Sequence, residues 1–190
     1  AKRFFQPLMI SCHEEGLLTQ EPNVNAELRP IEKSFRLCVC NETMEEKQLI
    51  VKWEIRDRKA SVLRAESCPL RAGPLSSVWL EKHDVPDIKL NDEYLSFHLY
   101  EGEYLVSEGT VIFSLPKFFH YADPKLSCRV EGDEILVISG AYAKGVEILN
   151  DNQDMVLSDN YFDMDAGEKR IKIISGEPKG LSLRSVYDIR

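Results

Sequence analysis

Residues 157–168 read LSDNYFDMDAGE and lead directly into residues 169–174, KRIKII. The short polar side chains at 159–160 favour a turn, because they can bond the nearby backbone and tolerate left-handed geometry. Residues 161–162 supply aromatic bulk for a core, and Gly167 allows a second turn. Apolar and charged residues then alternate with the period of a half-buried strand. The stretch predicts loop, aromatic anchor, turn and strand, with no helix signal and no catalytic spacing.

The same alternation recurs along the chain and defines the fold class. It is clearest at residues 49–56, LIVKWEIR, where apolar side chains lie on one face and charged ones on the other. About seven strands are predicted before residue 115 and about six after residue 125, with no helical periodicity of useful length. We therefore predict an all-β fold of two consecutive immunoglobulin-like antiparallel β-sandwiches. The expected boundaries are a first domain at 1–115, a linker at 116–124 and a smaller domain at 125–190.

Prolines and glycines add local expectations about these strands. Residues 69–74, which contain two prolines, should end a strand over 61–67, because proline cannot donate to a sheet ladder. Gly109 should interrupt the chain before a strand at 111–113. Alternating apolar residues over 181–189 predict a last strand.

Composition limits the classes of partner. The chain has 190 residues, of which 43% are hydrophobic, enough for packed cores. Its net charge is −8 with dispersed acidic residues, which argues against nucleic acid and anionic membrane surfaces. No apolar run approaches the ~18 residues of a membrane span, and no signal peptide begins at Ala1, although a longer parent chain could carry one upstream.

The five cysteines do not form a recognisable framework. Cys38 and Cys40 lie two apart on a predicted strand and point the same way, so a bridge between them is unfavourable. None has the C-x-x-C spacing of a zinc site. We predict structural thiols, with a disulfide or a metal site as the alternatives. The full set is Cys12, Cys38, Cys40, Cys68 and Cys128.

Three motifs, in order along the chain, resemble the C-terminal β-sandwich domains of β-mannosidase-like enzymes of glycoside hydrolase family 2. Residues 1–8, AKRFFQPL, resemble the family's "AKRFFxPV", residues 158–168 its "SDNxFD…PGE", and residues 185–188 its closing "SLYD". Gln6 and Ala166 depart from the usual small residue and proline. The matching positions of the last two motifs are Ser158, Asp159, Asn160, Phe162, Asp163, Gly167, Glu168, Ser185, Tyr187 and Asp188.

This resemblance implies an accessory role for the chain. The parent enzyme would hydrolyse terminal β-mannosides with retention, and its catalytic glutamates would lie in a barrel that this chain lacks. We therefore expect no catalytic residue, cofactor or metal here, and a chain that packs on the barrel. A homodimer and a β-mannosyl oligosaccharide are further expected partners. The family suggests a periplasmic or other non-cytoplasmic location, or a lysosomal one in a eukaryote.

Other groups with functional spacing have plainer interpretations. Asn41-Glu42 matches the dipeptide of a glycosidase acid/base, but it lies in a predicted charged turn. Asn150, Asn152 and Asp154 have the one-three-five spacing of a calcium loop, without its glycine or its final glutamate. Polar turns are the preferred interpretation of both.

Aromatic residues offer the remaining candidate contacts. Trp53 shares its face with aliphatic residues and is expected in the core, whereas Trp79 has an ambiguous phase and could stack on a sugar. The linker aromatics Phe118, Phe119 and Tyr121 are expected to make interdomain or sugar contacts.

We also expect an apolar patch on the outer faces of the first sandwich, covered by the barrel or a second copy. Its members would be Cys38, Cys40, Ile50, Tyr94 and Tyr100.

Two other functions remain open from the sequence. A carbohydrate-binding module would present coplanar aromatic rings on one open face. A generic immunoglobulin-like adhesion domain would lack the family motifs at the chain ends.

Overall fold

The computed structural model describes residues 2–15 and 33–189. Its regular structure is almost entirely antiparallel β-strand, with two 3₁₀ helices, Lys2–Phe5 and Pro116–Phe118. Two compact units are present. The first comprises Arg3–Ile55 and Leu63–Phe119, and the second comprises Arg56–Val62 and His120–Arg190. The predicted fold class, two consecutive immunoglobulin-like antiparallel β-sandwiches, is confirmed.

The first unit has seven strands in two sheets. One sheet has the order β1-β2-β5 and the other β4-β3-β6-β7. The alternation seen at residues 49–56 places Leu49, Val51, Trp53 and Ile55 in the core, with Trp53 only 2% exposed. The strands are β1 (Leu8–Glu15), β2 (Ser34–Asn41), β3 (Lys47–Asp57), β4 (Val62–Ala72), β5 (Ser76–Asp84), β6 (Glu93–Glu101) and β7 (Tyr104–Ile112).

Two expected strand breaks are wrong. Pro69 lies within β4, which is the edge strand of its sheet, so the missing proline N–H costs no ladder bond on the open side. Gly109 lies within the continuous strand β7, directly opposite Phe97 of β6. A Cβ at position 109 would approach the Phe97 ring to 2.6 Å. The glycine therefore makes room for a core aromatic.

The expected apolar outer patch is wrong for two of its five members, whereas Cys40 and Tyr100 are half-buried and Ile50 is exposed. Cys38 is 4% exposed and Tyr94 is fully buried. Cys38 lies in the central strand β2, between Ser11 and Trp79 of the flanking strands, so neighbours on both sides cover it. Tyr94 lies in β6, which is also flanked by strands on both sides.

The second unit has seven short strands in two sheets. Their orders are β12-β10-β14 and β11-β13-β9-β8. Its core contains Ile135, Val137, Val146, Phe162 and Ile171. The strands are β8 (Ser127–Glu131), β9 (Glu134–Ser139), β10 (Ala143–Leu149), β11 (Val156–Leu157), β12 (Phe162–Met164), β13 (Gly167–Ser175) and β14 (Ser182–Arg184).

The predicted last strand over 181–189 is only partly right. Strand pairing ends at Arg184, and Val186–Ile189 forms a single helical turn, α1. Ser185 and Asp188 impose this turn through hydrogen bonds described below. Within residues 2–15 and 33–189, no helix has the length and apolar character needed to cross a membrane.

Candidate functional site

Asn160 holds the loop that precedes β12. Strands β10 and β12 pair Val146 with Phe162, so the next pair in register would set Ile148 opposite residue 160. The backbone does not continue this pairing. Instead the Asn160 side-chain Oδ1 accepts from Ile148 N at 2.9 Å, and its Nδ2 donates to Ile148 O at 3.1 Å. Ile148 is 3% exposed, so the amide satisfies backbone groups that would be costly to leave unpaired.

Asp163 fixes a β-bulge in the facing strand. The register of β10 against β12 shifts between Ala143 and Val146, which leaves one extra residue on β10. Gly145 takes a φ of +62° there, and its N–H donates to Asp163 Oδ1 at 2.8 Å. The ammonium group of Lys144 contacts Asp163 Oδ2 at 2.8 Å. The carboxylate thus ties the bulge to β12, while the neighbouring Phe162 ring is fully buried.

Glu147 is a charged residue covered on the outer side of β10. It is 5% exposed, and its carboxylate accepts a hydrogen bond from Arg184 Nε and another from the Tyr161 hydroxyl. Both hydrogen bonds lower the pKa of Glu147, and the bond from Arg184 has the larger effect. The same contact with Glu147 raises the pKa of Tyr161. The cluster therefore holds one ionised carboxylate, with its charge matched by Arg184.

The rest of the 158–168 motif also bonds to backbone. Ser158 pairs with Lys172 twice: its N–H donates to Lys172 O at 2.8 Å, and its Oγ accepts from Lys172 N at 2.9 Å. The Asp159 carboxylate accepts from Asn160 N at 2.9 Å, as turn chemistry predicts. Gly167 and Glu168 begin β13, where both are exposed. These contacts organise the loop and the strand that follows it.

The closing motif caps the last helical turn. Ser185 is 2% exposed, and its N–H donates to Asp188 Oδ2 at 2.7 Å. In return, Tyr187 N donates to Ser185 Oγ at 3.3 Å. This reciprocal arrangement is a variant of the capping box, in which the serine hydroxyl accepts from the N2 amide instead of the N3 amide and aspartate replaces the usual glutamate. Ser185 and Asp188 therefore have a structural use, and the Tyr187 backbone takes part in it.

The four aromatic residues predicted to make interdomain or sugar contacts differ in their exposed fraction. Phe119 and Tyr121 are buried, at 2% and 4% exposed, and Tyr121 stacks on Tyr142 with ring centroids 6.2 Å apart. Phe118 is half exposed, at 50%. Trp79 is 49% exposed on β5, with the Arg36 guanidinium carbon 5.2 Å from its ring centroid.

The acid/base-like and calcium-like sequences both form structured turns. Asn41 is 1% exposed and donates to the carbonyls of Glu45, Ala72 and Gly73. Glu42 is exposed beside it. Asn150 donates to Asp154 Oδ1 at 2.7 Å, which joins two of the three candidate calcium positions directly.

No cluster of three or more His, Cys, Asp or Glu in the described ranges is arranged to hold a metal ion. All five cysteines have free thiols. Burial raises the pKa of Cys12 to about 12 and that of Cys38 to about 11, which keeps both protonated at neutral pH.

Sequence reasoning missed the partners of the motif residues. Ile148 lies 12 residues from Asn160, and Gly145 lies 18 residues from Asp163. Glu147 lies 14 residues from Tyr161 and 37 residues from Arg184. Such separations leave no local spacing to detect. The one available signal was Glu147 itself, a charged residue between the apolar Val146 and Ile148 in a strand.

The fold and these contacts define the class of protein: a tandem pair of immunoglobulin-like β-sandwich domains. Residues 33–117 match the family model described as a mannosidase Ig/CBM-like domain. Residues 121–189 match the mannosidase model described as an Ig-fold domain. The two matches together cover most of the sequence, so the chain belongs to these mannosidase-type domain families, as the motifs predicted.

Solved structures agree on the fold. The chain is similar to a β-D-mannosidase from Dictyoglomus thermophilum, with a TM-score of 0.67 and 17% identity over 97% of this chain and 22% of that one. It is also similar to the exo-chitosanase of Amycolatopsis orientalis, with a TM-score of 0.53 and 12% identity over 97% of this chain and 27% of that one. The chain therefore spans only a minor part of either enzyme. No curated protein gives a significant match.

Proposed function

We propose that the chain supplies the non-catalytic C-terminal accessory domains of a retaining β-mannosidase of glycoside hydrolase family 2. In this role it packs on the enzyme's catalytic barrel and supports it. The observation that carries the proposal is the use of the motif residues. Asn160, Asp163, Ser185 and Asp188 direct their hydrogen bonds at the backbone of the second unit, so they build a scaffold.

The buried carboxylates support the same conclusion. A retaining glycosidase needs two carboxyl groups about 5 Å apart, one of them ready to donate a proton. Glu93 and Glu147 are the buried carboxylates among residues 2–15 and 33–189. They belong to different units, and each is engaged: Glu93 accepts from Lys89 N at 3.1 Å, and Glu147 is bound by Arg184 and Tyr161.

A hydrolysis assay tests the non-catalytic part of the proposal. The purified chain is incubated with 4-nitrophenyl β-D-mannopyranoside, and with the β-galactoside and β-glucosaminide analogues as comparisons. We expect no turnover of any of them. Turnover that persists through size-exclusion chromatography of the chain would overturn the accessory role.

A reconstitution assay tests the packing part. The chain is mixed with a separately purified β-mannosidase-type barrel from the same protein, and complex formation is followed by sedimentation velocity. We expect a stable complex in which the barrel melts at a higher temperature than it does alone. Two independent species with unchanged melting would refute the packing. The substrate preference of the reconstituted enzyme tests the assignment to mannose.

Limited proteolysis tests the proposed boundaries, a first domain at 1–115, a linker at 116–124 and a second domain at 125–190. We expect the first internal cuts within the linker. First cuts inside either domain would contradict these bounds.

A further inference from the structure

Among the described residues of the β1-β2-β5 sheet, Trp79 is the large aromatic side chain that lies on the outer face and is exposed. It lies on the edge strand β5, between the half-buried Val78 and Leu80, whose side chains pack against the first core. The Trp79 side chain therefore points to the opposite side of the sheet, and it is 49% exposed. Trp53, the other tryptophan of the chain, is 2% exposed in the same unit. Exposure of so large an apolar ring is the feature to be explained.

Arg36 holds the Trp79 ring in place. Its guanidinium carbon lies 5.2 Å from the ring centroid, and its Nε donates to Leu80 O at 2.8 Å, which fixes the planar group beside the indole. An arginine has five N–H donors, and this bond uses one of them. Within the part of the chain that the structure describes, neither the Arg36 Nη atoms nor the Trp79 indole N–H has a protein acceptor. Unused donors thus lie next to an open ring surface.

The exposed residues around this ring are polar, and the buried Cys38 lies opposite it on β2. Ser77, Glu81 and Lys82 are exposed on the same strand, and Arg36 is exposed on β2. A protein docking site usually has a contiguous apolar centre, and a single ring among polar side chains does not provide one. A pyranose fits this arrangement better. One side of the sugar ring is a C–H surface that packs on an aromatic face, and its hydroxyl oxygens accept from nearby N–H donors.

We propose that Trp79 and Arg36 form a glycan-binding subsite on the first sandwich, which takes one unit of a β-1,4-linked manno-oligosaccharide. The pyranose chemistry follows from the site, and the choice of mannose rests on the proposed function. The subsite would hold substrate chains close to the enzyme without taking part in hydrolysis. Its affinity should be modest, because one ring and a few donors make a shallow site.

The two tryptophans allow a direct test. A ¹H–¹⁵N spectrum of the chain shows two indole N–H signals, and the Trp79→Ala variant identifies which one belongs to Trp79. Titration with β-1,4-mannohexaose should shift the Trp79 signal saturably and leave the Trp53 signal in place. Maltohexaose, which is α-linked, serves as the comparison ligand. An unmoved Trp79 signal, or an equal response to both oligosaccharides, would overturn the proposal.

Variants locate the binding energy independently. Trp79→Ala should weaken mannohexaose binding in a calorimeter by roughly tenfold or more, because the stacking surface is lost. Tyr104→Ala is the matched control, since Tyr104 is an exposed aromatic, at 80%, on the other sheet of the same unit. It should bind like the parent. Unchanged affinity in Trp79→Ala would refute the site. The accessory role is tested separately by the hydrolysis and reconstitution assays, so it can hold even if the glycan subsite is refuted.

Discussion

Replacing Asn160 by alanine should destabilise the second unit by about 2–4 kcal/mol. The substitution removes the partners of Ile148 N–H and Ile148 C=O, which Asn160 contacts at 2.9 and 3.1 Å. Each buried backbone group left unpaired costs about 1–3 kcal/mol, and entry of water recovers part of the sum. Asn160→Asp should also destabilise, because a carboxylate can accept from Ile148 N–H but places its charge against Ile148 O.

Two measurements separate this effect from a global one. Urea unfolding followed by far-UV circular dichroism gives the loss of unfolding free energy, and native-state amide exchange shows where protection is lost. Exchange at Ile148 and along β10 should accelerate in the Asn160→Ala variant. Both tryptophans lie in the first unit, so the urea midpoint of tryptophan fluorescence should stay unchanged.

Asn152→Ala provides the matched control. Asn152 is exposed in the turn that precedes the motif, and its removal should change stability by less than about 0.5 kcal/mol. If Asn160→Ala costs no more than Asn152→Ala, the amide does not act as a strand partner and our account of the motif is incorrect.

Three further predictions concern separate features. Gly109→Ala should destabilise the first unit by about 1–3 kcal/mol in urea unfolding, because the new methyl group meets the Phe97 ring. Adding Phe97→Leu to the Gly109→Ala variant should recover part of the loss. If the losses from the two substitutions simply add, the proposed clash is contradicted. The bond from Arg184 lowers the pKa of Glu147 below its ordinary 4.5, so the ionised carboxylate stabilises the fold above that pH and its contribution is lost in acid. The difference in unfolding free energy between the parent and Glu147→Gln should therefore shrink as the pH falls below 4.5, and a pH-independent difference would count against the ion pair. Burial raises the pKa of Cys12 to about 12, so iodoacetamide at pH 8 should label it far more slowly in the native chain than in urea, as peptide mass spectrometry would show; equal rates would contradict its burial.

The fold class could be predicted because the period-two pattern is local. At residues 49–56 the alternation alone identified the buried side chains of β3, since one face of that strand meets the core. Where burial depends on neighbouring strands, the same reasoning failed. The alternation places Cys38 and Tyr94 on open faces, yet both side chains are buried.

The expected strand breaks at Pro69 and Gly109 are wrong for a related reason. Pro69 is tolerated because β4 is an edge strand, and Gly109 is required because Phe97 lies opposite it. Both reasons depend on which strands are neighbours, which a single sequence does not show. The helical turn Val186–Ile189 was detectable in principle. Ser185 and Asp188 have the spacing of a capping box, whereas the apolar alternation around them favours a strand.

The motif positions were found by resemblance, and their physical roles were not. Nothing in the residues around Asn160 reveals that its amide pairs with Ile148, twelve residues away. Likewise, Asp163 looks like a turn residue until the bulge at Gly145 is seen.

The pairing of Asn160 with Ile148 should also protect the second unit against aggregation. Strand β12 begins only at Phe162, so β10 would otherwise present the unpaired N–H and C=O groups of Ile148 to any extended chain that approached it. Open strand edges of this kind recruit other molecules and start intermolecular sheets. An amide side chain fills the position without adding a further strand, so this side of the sheet offers no template at Ile148. Loss of that side chain should therefore shorten the time that the protein survives at high concentration, even under conditions in which it remains folded.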